Sequence, residues 1–203
     1  MAKVTTPTAV TLALSAAALL GYGGLRLLAP RLGEQPPPDI ASAEQALADQ
    51  LPTFALYDLT GEPRSIRSWP GKPLLVNFWA TWCAPCLREI PMLKEFQTDN
   101  PSLQVVGIAV DRLDSVLAFA DQMQFNYPVL VGEADAMAAA SAFGVEFFAL
   151  PFTVFTGADG AVLGVHTGEI HAEHLENFVA VLGGLDAGQI DNGTARMRLS
   201  GPM

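Results

Sequence analysis

The sequence predicts an α/β fold in which a central mixed β-sheet is flanked by helices. β-prone apolar runs alternate with helical patterns along most of the chain, the order typical of α/β proteins. The run Leu74–Trp79 is apolar almost throughout, as expected for a parallel strand buried on both faces. The apolar residues from Leu87 to Phe96 then recur at helical spacing. With 203 residues, the chain is long enough for one domain with a real core plus appendages.

The other predicted elements continue this alternation. A hairpin about Gly61, within residues 53–67, precedes the buried strand. After the first helix we expect a strand, a helix, a strand, a helix, an antiparallel hairpin and a last helix stopped by Gly183-Gly184. Their ranges are Leu103–Val110, Leu113–Gln124, Tyr127–Val131, Ala134–Phe143, Phe152–Thr156 with Ala161–His166, and Ala172–Leu182. The tail 186–203 has no usable period and is predicted to be disordered.

The N-terminal part predicts a membrane anchor followed by a linker. From Ala9 to Leu25 the chain is apolar or small, close to the minimum length that spans a bilayer. We therefore expect residues 1–29 to be an uncleaved anchor, with a cleaved signal peptide as the alternative. The prolines in residues 30–50 predict a stiff, extended linker. The folded domain is expected over residues 51–185.

The part of the chain outside the anchor is strongly acidic. All 21 acidic residues lie from Glu34 onward, against eight basic ones, which gives a formal charge of −13. Nucleic acids and anionic lipid headgroups demand positive charge, so neither is expected as a partner of this surface. Solubility alone is the simpler explanation of the acidity.

The only two cysteines form a CxxC motif between the buried strand and the first helix. Just before a helix, Cys83 is exposed to backbone N–H groups and a dipole that favour a thiolate. Cys86 is one helical turn on and can resolve a mixed disulfide, and Pro85 suits the first turn. The motif therefore predicts dithiol–disulfide exchange. A structural disulfide would close so short a loop that it constrains the unfolded chain little, and a zinc site lacks a second cysteine pair.

Residues 54–96, above all the stretch NFWATWCAPC followed by Glu89-Ile-Pro, resemble the TlpA/ResA-like branch of the thioredoxin superfamily. Members of that branch are membrane-tethered thiol–disulfide oxidoreductases of the bacterial cell envelope. The resemblance runs from about Leu51 to about Leu182. It implies a thioredoxin-like fold with an N-terminal β-hairpin and a central βα insertion, and it makes residues 51–185 the catalytic domain.

The resemblance also implies roles for individual residues. Cys83 is expected to attack or be attacked, Cys86 to resolve, and Pro151 to be a cis-proline that faces the cysteines and orients the substrate backbone. The segment Val145–Pro151 is two residues longer than is common in the family. The residues expected to contact the substrate are Trp82, Ala84, Pro85 and Leu150.

Glu89 is the candidate for proton transfer. It follows Cys86 by three residues and so lies on the same side of the helix. A solvated helix carboxylate is the alternative, but a Glu at the matching position belongs to the active site in the family that this chain resembles. Thioredoxins proper carry a buried Asp where this chain has Asn77, so another proton acceptor is needed.

These observations predict an enzyme, an envelope thiol–disulfide oxidoreductase acting as a reductase on the periplasmic or extracytoplasmic side of the cell membrane. The expected partners are proteins with disulfides or thiols, as in cytochrome c or metal-centre assembly, a membrane electron donor such as a thiol–disulfide transporter, and the lipid bilayer. No cofactor or metal is implied, and the three histidines, without ligand partners at suitable spacing, are expected to be exposed. The main alternative is a Cu(I)-binding or copper-delivery module that uses Cys83 and Cys86 as soft ligands. A peroxiredoxin-like peroxidase is a more distant one.

Overall fold

The computed structural model describes residues 47–146 and 149–200. Within them the chain forms seven strands and five helices. The strands are β1 (Ala55–Asp58), β2 (Pro63–Ser65), β3 (Leu74–Trp79), β4 (Gln104–Val110), β5 (Val129–Gly132), β6 (Phe152–Thr156) and β7 (Val162–Thr167). The helices are α1 (Ala84–Asp99), α2 (Leu113–Met123), α3 (Ala134–Ala142), α4 (Ala172–Asp186) and α5 (Asn192–Ser200).

The strands form one mixed sheet in the order β2-β1-β5-β4-β3-β6-β7. β3, β4 and β5 are parallel, whereas the β1–β2 and β6–β7 pairs are antiparallel hairpins, as predicted. The positive φ of Gly61 makes the tight turn between β1 and β2, a conformation that side chains disfavour. Asn77 in the central strand is paired with Gly107 of β4 on one side and Thr153 of β6 on the other.

Helices cover both faces of the sheet, as predicted for an α/β fold. One core contains side chains from α1, α2, α4 and α5, together with Leu75 and Trp79 of β3. The other core contains the alanines of α3 and the alternate β3 residues Val76 and Phe78. All six β3 residues are buried, which explains why the run is apolar except for Asn77.

The last predicted helix is longer than expected. α4 continues through Gly183 and Gly184 to Asp186. A side chain at Gly184 would lie 3.2 Å from Ile190, so this glycine serves close packing and not helix termination. The left-handed residue is Gly188, whose N–H bonds to Leu185 O over 2.9 Å.

The prediction of a disordered tail is wrong, because residues 192–200 form α5. Ala195 and Leu199 are buried, and a side chain at Gly164 of β7 would lie only 2.7 Å from Leu199 Cβ. Arg196 donates to Val162 O over 2.8 Å and pairs with Asp49. The folded domain thus includes α5, for which the local sequence carries little periodicity.

The N-terminal predictions lie mostly outside the described residues. The anchor over 1–29 and most of the linker over 30–50 cannot be compared with the structure, and residues 47–50 already belong to the domain, since Gln50 bridges to Ala161. Among the residues that are described, no helix combines the length and apolar character needed to cross a bilayer.

Candidate active site

The CxxC motif lies where β3 ends and α1 begins. Cys83 is the N-cap of α1, Pro85 occupies the first turn, and the first helical hydrogen bond runs from Leu87 N to Cys83 O over 3.1 Å. The two sulfurs form a disulfide. Cys83 retains 5% of its surface and Cys86 none, so the N-terminal cysteine is the one that a partner can reach. The division of the two cysteines into an attacking and a resolving thiol stays a prediction.

Hydrogen bonds between Thr81 and the Asp111 side chain hold the loop that carries Cys83. Asp111, which directly follows β4, accepts hydrogen bonds at Oδ2 from Thr81 N over 3.0 Å and from Thr81 Oγ1 over 2.6 Å. Because β3 and β4 are parallel, their carboxyl ends meet at the same edge of the sheet. Trp82, the residue between Thr81 and Cys83, exposes 69% of its surface. The Thr81–Asp111 pair was not predicted, although a polar residue within two positions of the end of each of two neighbouring strands could have indicated it.

Pro151 lies at the same edge. The Leu150–Pro151 peptide bond is cis, as predicted. β6 begins at the next residue and runs antiparallel to β3, with Phe152 opposite Phe78 near the end of β3. Pro151 O accepts a hydrogen bond from Gly168 N over 2.9 Å. The register therefore brings Pro151 to the edge from which β3 leads to Cys83, with Leu150 half-buried before it.

Glu89 lies on the buried side of the first helix, α1, so the interpretation of a solvated carboxylate is wrong. It exposes 1% of its surface. Asn77 Nδ2 donates to Oε1 over 2.7 Å, and Ile170 N donates to Oε2 over 2.7 Å. Asn77 Nδ2 also donates to Thr153 Oγ1 over 3.1 Å. Asn77 of the central strand and Ile170 of the loop before α4 thus both donate to the Glu89 carboxyl group. Asn77 occupies the position at which thioredoxins carry their buried Asp.

Burial raises the pKa of Glu89 to about 7, against the opposing effect of the Ile170 and Asn77 hydrogen bonds. The charge of Glu169 raises this pKa further, and that of Arg88 lowers it. Arg88 and Glu169 form an ion pair with each other, and this pairing lowers the pKa of Glu169. Near neutral pH Glu89 is therefore about half protonated, the state in which a carboxyl group both accepts and donates a proton readily.

The three histidines are not all exposed, contrary to the prediction. His171 is exposed, His166 is half-buried, and His174 exposes 7% of its surface. The rings of His166 and His174 lie 3.9 Å apart at the start of α4. Burial is the main cause that lowers the pKa of His174. Within residues 47–146 and 149–200, no group of three His, Cys, Asp or Glu side chains is arranged to hold a metal ion.

Comparison with known proteins identifies a family. The AhpC/TSA family profile matches residues 47–165. The thiol-disulfide oxidoreductase ResA of Halalkalibacterium halodurans is 30% identical over 146 residues, which cover 69% of this chain and 81% of that protein.

Solved structures agree with the fold. A thiol:disulfide interchange protein of the thioredoxin family from Chlorobium tepidum superposes with a TM-score of 0.60 and 29% identity, over 68% of this chain and 97% of that one. A secreted disulfide oxidoreductase of Mycobacterium tuberculosis, homologous to Escherichia coli DsbE, gives a TM-score of 0.54 and 28% identity, over 64% and 96%. The predicted thioredoxin-like fold is thereby confirmed.

Proposed function

Because this chain belongs to the AhpC/TSA family, in its ResA-like branch, it is a thioredoxin-like thiol–disulfide oxidoreductase, and we propose that it reduces protein disulfides through Cys83 and Cys86. The reductive direction and the roles of the single residues are part of this proposal. The observation that supports it most is the buried Glu89, with a pKa of about 7, on the helical turn that follows Cys86. A purely structural disulfide has no use for such a group.

The exchange proceeds in two steps. In the reduced protein the Cys83 thiolate attacks one sulfur of a substrate disulfide, so that a Cys83–substrate bond forms while the substrate S–S bond breaks. Cys86 then attacks Cys83 Sγ, which releases the second substrate thiolate and leaves the Cys83–Cys86 disulfide. Two electrons pass to the substrate, and its two thiolates take up the two protons that the cysteines gave up.

Glu89 takes the proton of Cys86 when that thiol becomes the attacking group. Cys86 is fully buried, and burial disfavours its thiolate, so attack requires a base within the protein. Glu89 is one turn further along the same helix and is itself buried, and a carboxylate with a pKa near 7 matches this task at neutral pH. Asn77 and Ile170 N–H hold the carboxylate in place and stabilise its charged form.

The substrate surface is the edge of the sheet around Cys83. Exposed Trp82 directly precedes Cys83, and Ala84 and Pro85 of the first helical turn directly follow it. Leu150 and Pro151 precede β6 at the same edge. An extended substrate segment would pair with the Leu150 backbone as an added strand, with its disulfide beside Cys83.

The proposed location is the cell envelope, with the apolar segment before residue 26 as a membrane anchor. A relative secreted by Mycobacterium tuberculosis supports an extracytoplasmic site of action. The proposed electron donor is a membrane thiol–disulfide transporter, and the proposed substrates are proteins of cytochrome c or metal-centre assembly. Resistance of the mature protein to carbonate extraction would support the anchor, and its release into the soluble envelope fraction would contradict it.

An insulin reduction assay tests the proposed activity. The full-length protein with dithiothreitol is expected to accelerate the reduction of insulin disulfides, and both Cys83→Ser and Cys86→Ser should return the rate to background. A wild-type rate equal to that of the two variants would contradict the proposal. Neither the relatives nor the described residues offer an observation that favours the alternative of copper delivery.

A further inference from the structure

The loop of residues 168–171, between β7 and α4, contacts two parts of the proposed active site. Gly168 N donates to Pro151 O over 2.9 Å, and Ile170 N donates to Glu89 Oε2 over 2.7 Å. The first bond reaches the cis-proline, and the second reaches the buried carboxyl group. The position of one short loop therefore determines a contact of each group.

Two histidines hold this loop, one on each side of Ile170. His166 of β7 places Nε2 3.2 Å from Glu169 O, and since a carbonyl oxygen only accepts, Nε2 is the donor. His174, in the first turn of α4, accepts at Nδ1 from His171 N over 2.9 Å. The main chain is thus held by a side chain at the residue before Ile170 and at the residue after it.

The two histidine rings also contact each other. Their centroids lie 3.9 Å apart, and His174 exposes only 7% of its surface. A side chain at the third helical position that accepts from the N-cap N–H is half of a capping box, in which Glu or Gln is the usual residue. Here the acceptor is an imidazole that packs on His166. The pair therefore joins the end of β7 to the start of α4.

His174 can accept this hydrogen bond only in its neutral form, because protonation would place a proton on Nδ1. Burial lowers the pKa of His174, the charge of His166 lowers it further, and the charge of Glu173 opposes both. The ring is consequently neutral at the neutral pH where the proposed exchange takes place. The bond to His171 N–H is therefore intact under those conditions.

We propose that His166 and His174 are positioning residues, which hold the 168–171 loop so that the Ile170 N–H is directed at the Glu89 carboxylate. The inference deepens the proposed function and rests on it for its use. The Ile170 hydrogen bond lowers the pKa of Glu89 against the larger effect of burial. If the loop moved, fewer molecules would carry the ionised Glu89 that accepts the Cys86 proton at neutral pH.

The Glu89 carboxyl titration of full-length oxidised protein, followed by ¹³C NMR, tests the proposal. His174→Leu removes the acceptor and should raise the pKa of Glu89 by about half a unit or more, because the carboxylate loses a well-placed donor. His174→Gln supplies the usual capping-box acceptor and should restore most of the wild-type value. Val179→Ala, at an α4 side chain that exposes 40% of its surface, is the control and should change nothing. An unshifted titration in His174→Leu, or an equal shift in His174→Gln, would overturn the proposal.

Hydrogen exchange of the Ile170 amide gives a second readout. His174→Leu should accelerate this exchange at least about tenfold more than that of the β3 amides, because the loop opens locally. His166→Leu, at a half-buried side chain, should do the same and provides the test if His174→Leu does not fold. Equal acceleration of all these amides would show that the histidines only stabilise the domain, and would overturn the proposal. Neither measurement needs turnover, so an inactive wild type would contradict the proposed function and leave this test intact.

Discussion

Glu89 shows at the scale of one residue how position in the fold determines chemistry. In the sequence it is an ordinary helix carboxylate three residues after Cys86. In the structure it is enclosed by a strand amide and by the backbone N–H of Ile170, which comes 81 residues later in the chain. Burial outweighs both hydrogen bonds and leaves its pKa at about 7.

Replacing Glu89 by Gln should slow disulfide exchange by about tenfold or more, because the variant lacks the base for Cys86. The inflection near pH 7 that Glu89 adds to the pH–rate profile should also disappear. Stopped-flow reduction of a protein disulfide between pH 5 and 9 measures both effects. Glu95→Gln, an exposed carboxylate on the same helix, is the control and should match the wild type. Identical profiles for all three proteins would show that Glu89 has no part in proton transfer.

The same residue should make the stability of the oxidised protein depend on pH. Its pKa in the folded state, about 7, lies above the ordinary value of 4.5, so the folded state binds more protons than the unfolded state between these limits. The free energy of unfolding should therefore be highest, as far as Glu89 is concerned, below about pH 4.5. It should fall by about 3 kcal/mol as the pH rises through 7.

Urea unfolding of oxidised wild-type protein and Glu89→Gln across this pH range measures the difference. The variant should lack the fall, so that its stability relative to the wild type improves with rising pH. Parallel curves for the two proteins would mean that Glu89 titrates at its ordinary pKa.

The residues that bear local motifs were predictable, and those that depend on distant contacts were not. Cys83 and Cys86 stand in a short pattern whose chemistry is visible in the sequence, and Pro151 was predicted from the family resemblance. The burial of Glu89 depends on a loop near residue 170 and so has no local pattern. The bond between Thr81 and Asp111 likewise joins two loops that only the parallel pairing brings together.

At the scale of elements, the sequence pattern does not indicate the helix α5, which is stabilised by its packing against the rest of the domain. Its nine residues show no clear apolar stripe, but Ala195 and Leu199 are buried, and Leu199 packs against Gly164, where a side chain would clash. α4 differs from the prediction for a related reason, since Gly184 allows Ile190 to approach the helix. In both cases a glycine marks close contact between segments and not the end of an element.

Leu199→Ala should lower the free energy of unfolding by about 2–4 kcal/mol, because it removes a fully packed side chain from the core. Met197→Ala is the matched control on the same helix, at a side chain that exposes 72% of its surface, and should cost no more than about 0.5 kcal/mol. Thermal or urea unfolding followed by circular dichroism measures both. Equal small effects would show that α5 adds little to the domain in solution.

At the scale of the whole domain, the sheet topology gathers the site. The carboxyl ends of β3 and β4 place Cys83 and Asp111 at one edge, and the antiparallel β6 starts at that edge after Pro151. β7 runs back to the same edge and leads to Ile170. The predicted alternation of strands and helices in a mixed sheet indicates that carboxyl ends of parallel strands share an edge, but it did not give the strand order. The register that pairs Asn77 with Gly107 and Thr153 was not predictable either, since it depends on three strands at once.

The central claim is that Cys83 is the cysteine that exchanges with the substrate and Cys86 the one that resolves. Trapping tests it most directly: reduced Cys86→Ser protein is incubated with a disulfide-containing protein, and the mixed disulfide is mapped by mass spectrometry, with Cys83→Ser as the matched variant. We expect the substrate to accumulate on Cys83 of Cys86→Ser, because Cys83 is at the helix N-terminus and has accessible surface, and we expect no adduct with Cys83→Ser. An adduct on Cys86 of Cys83→Ser that forms at an equal or greater rate would contradict the account.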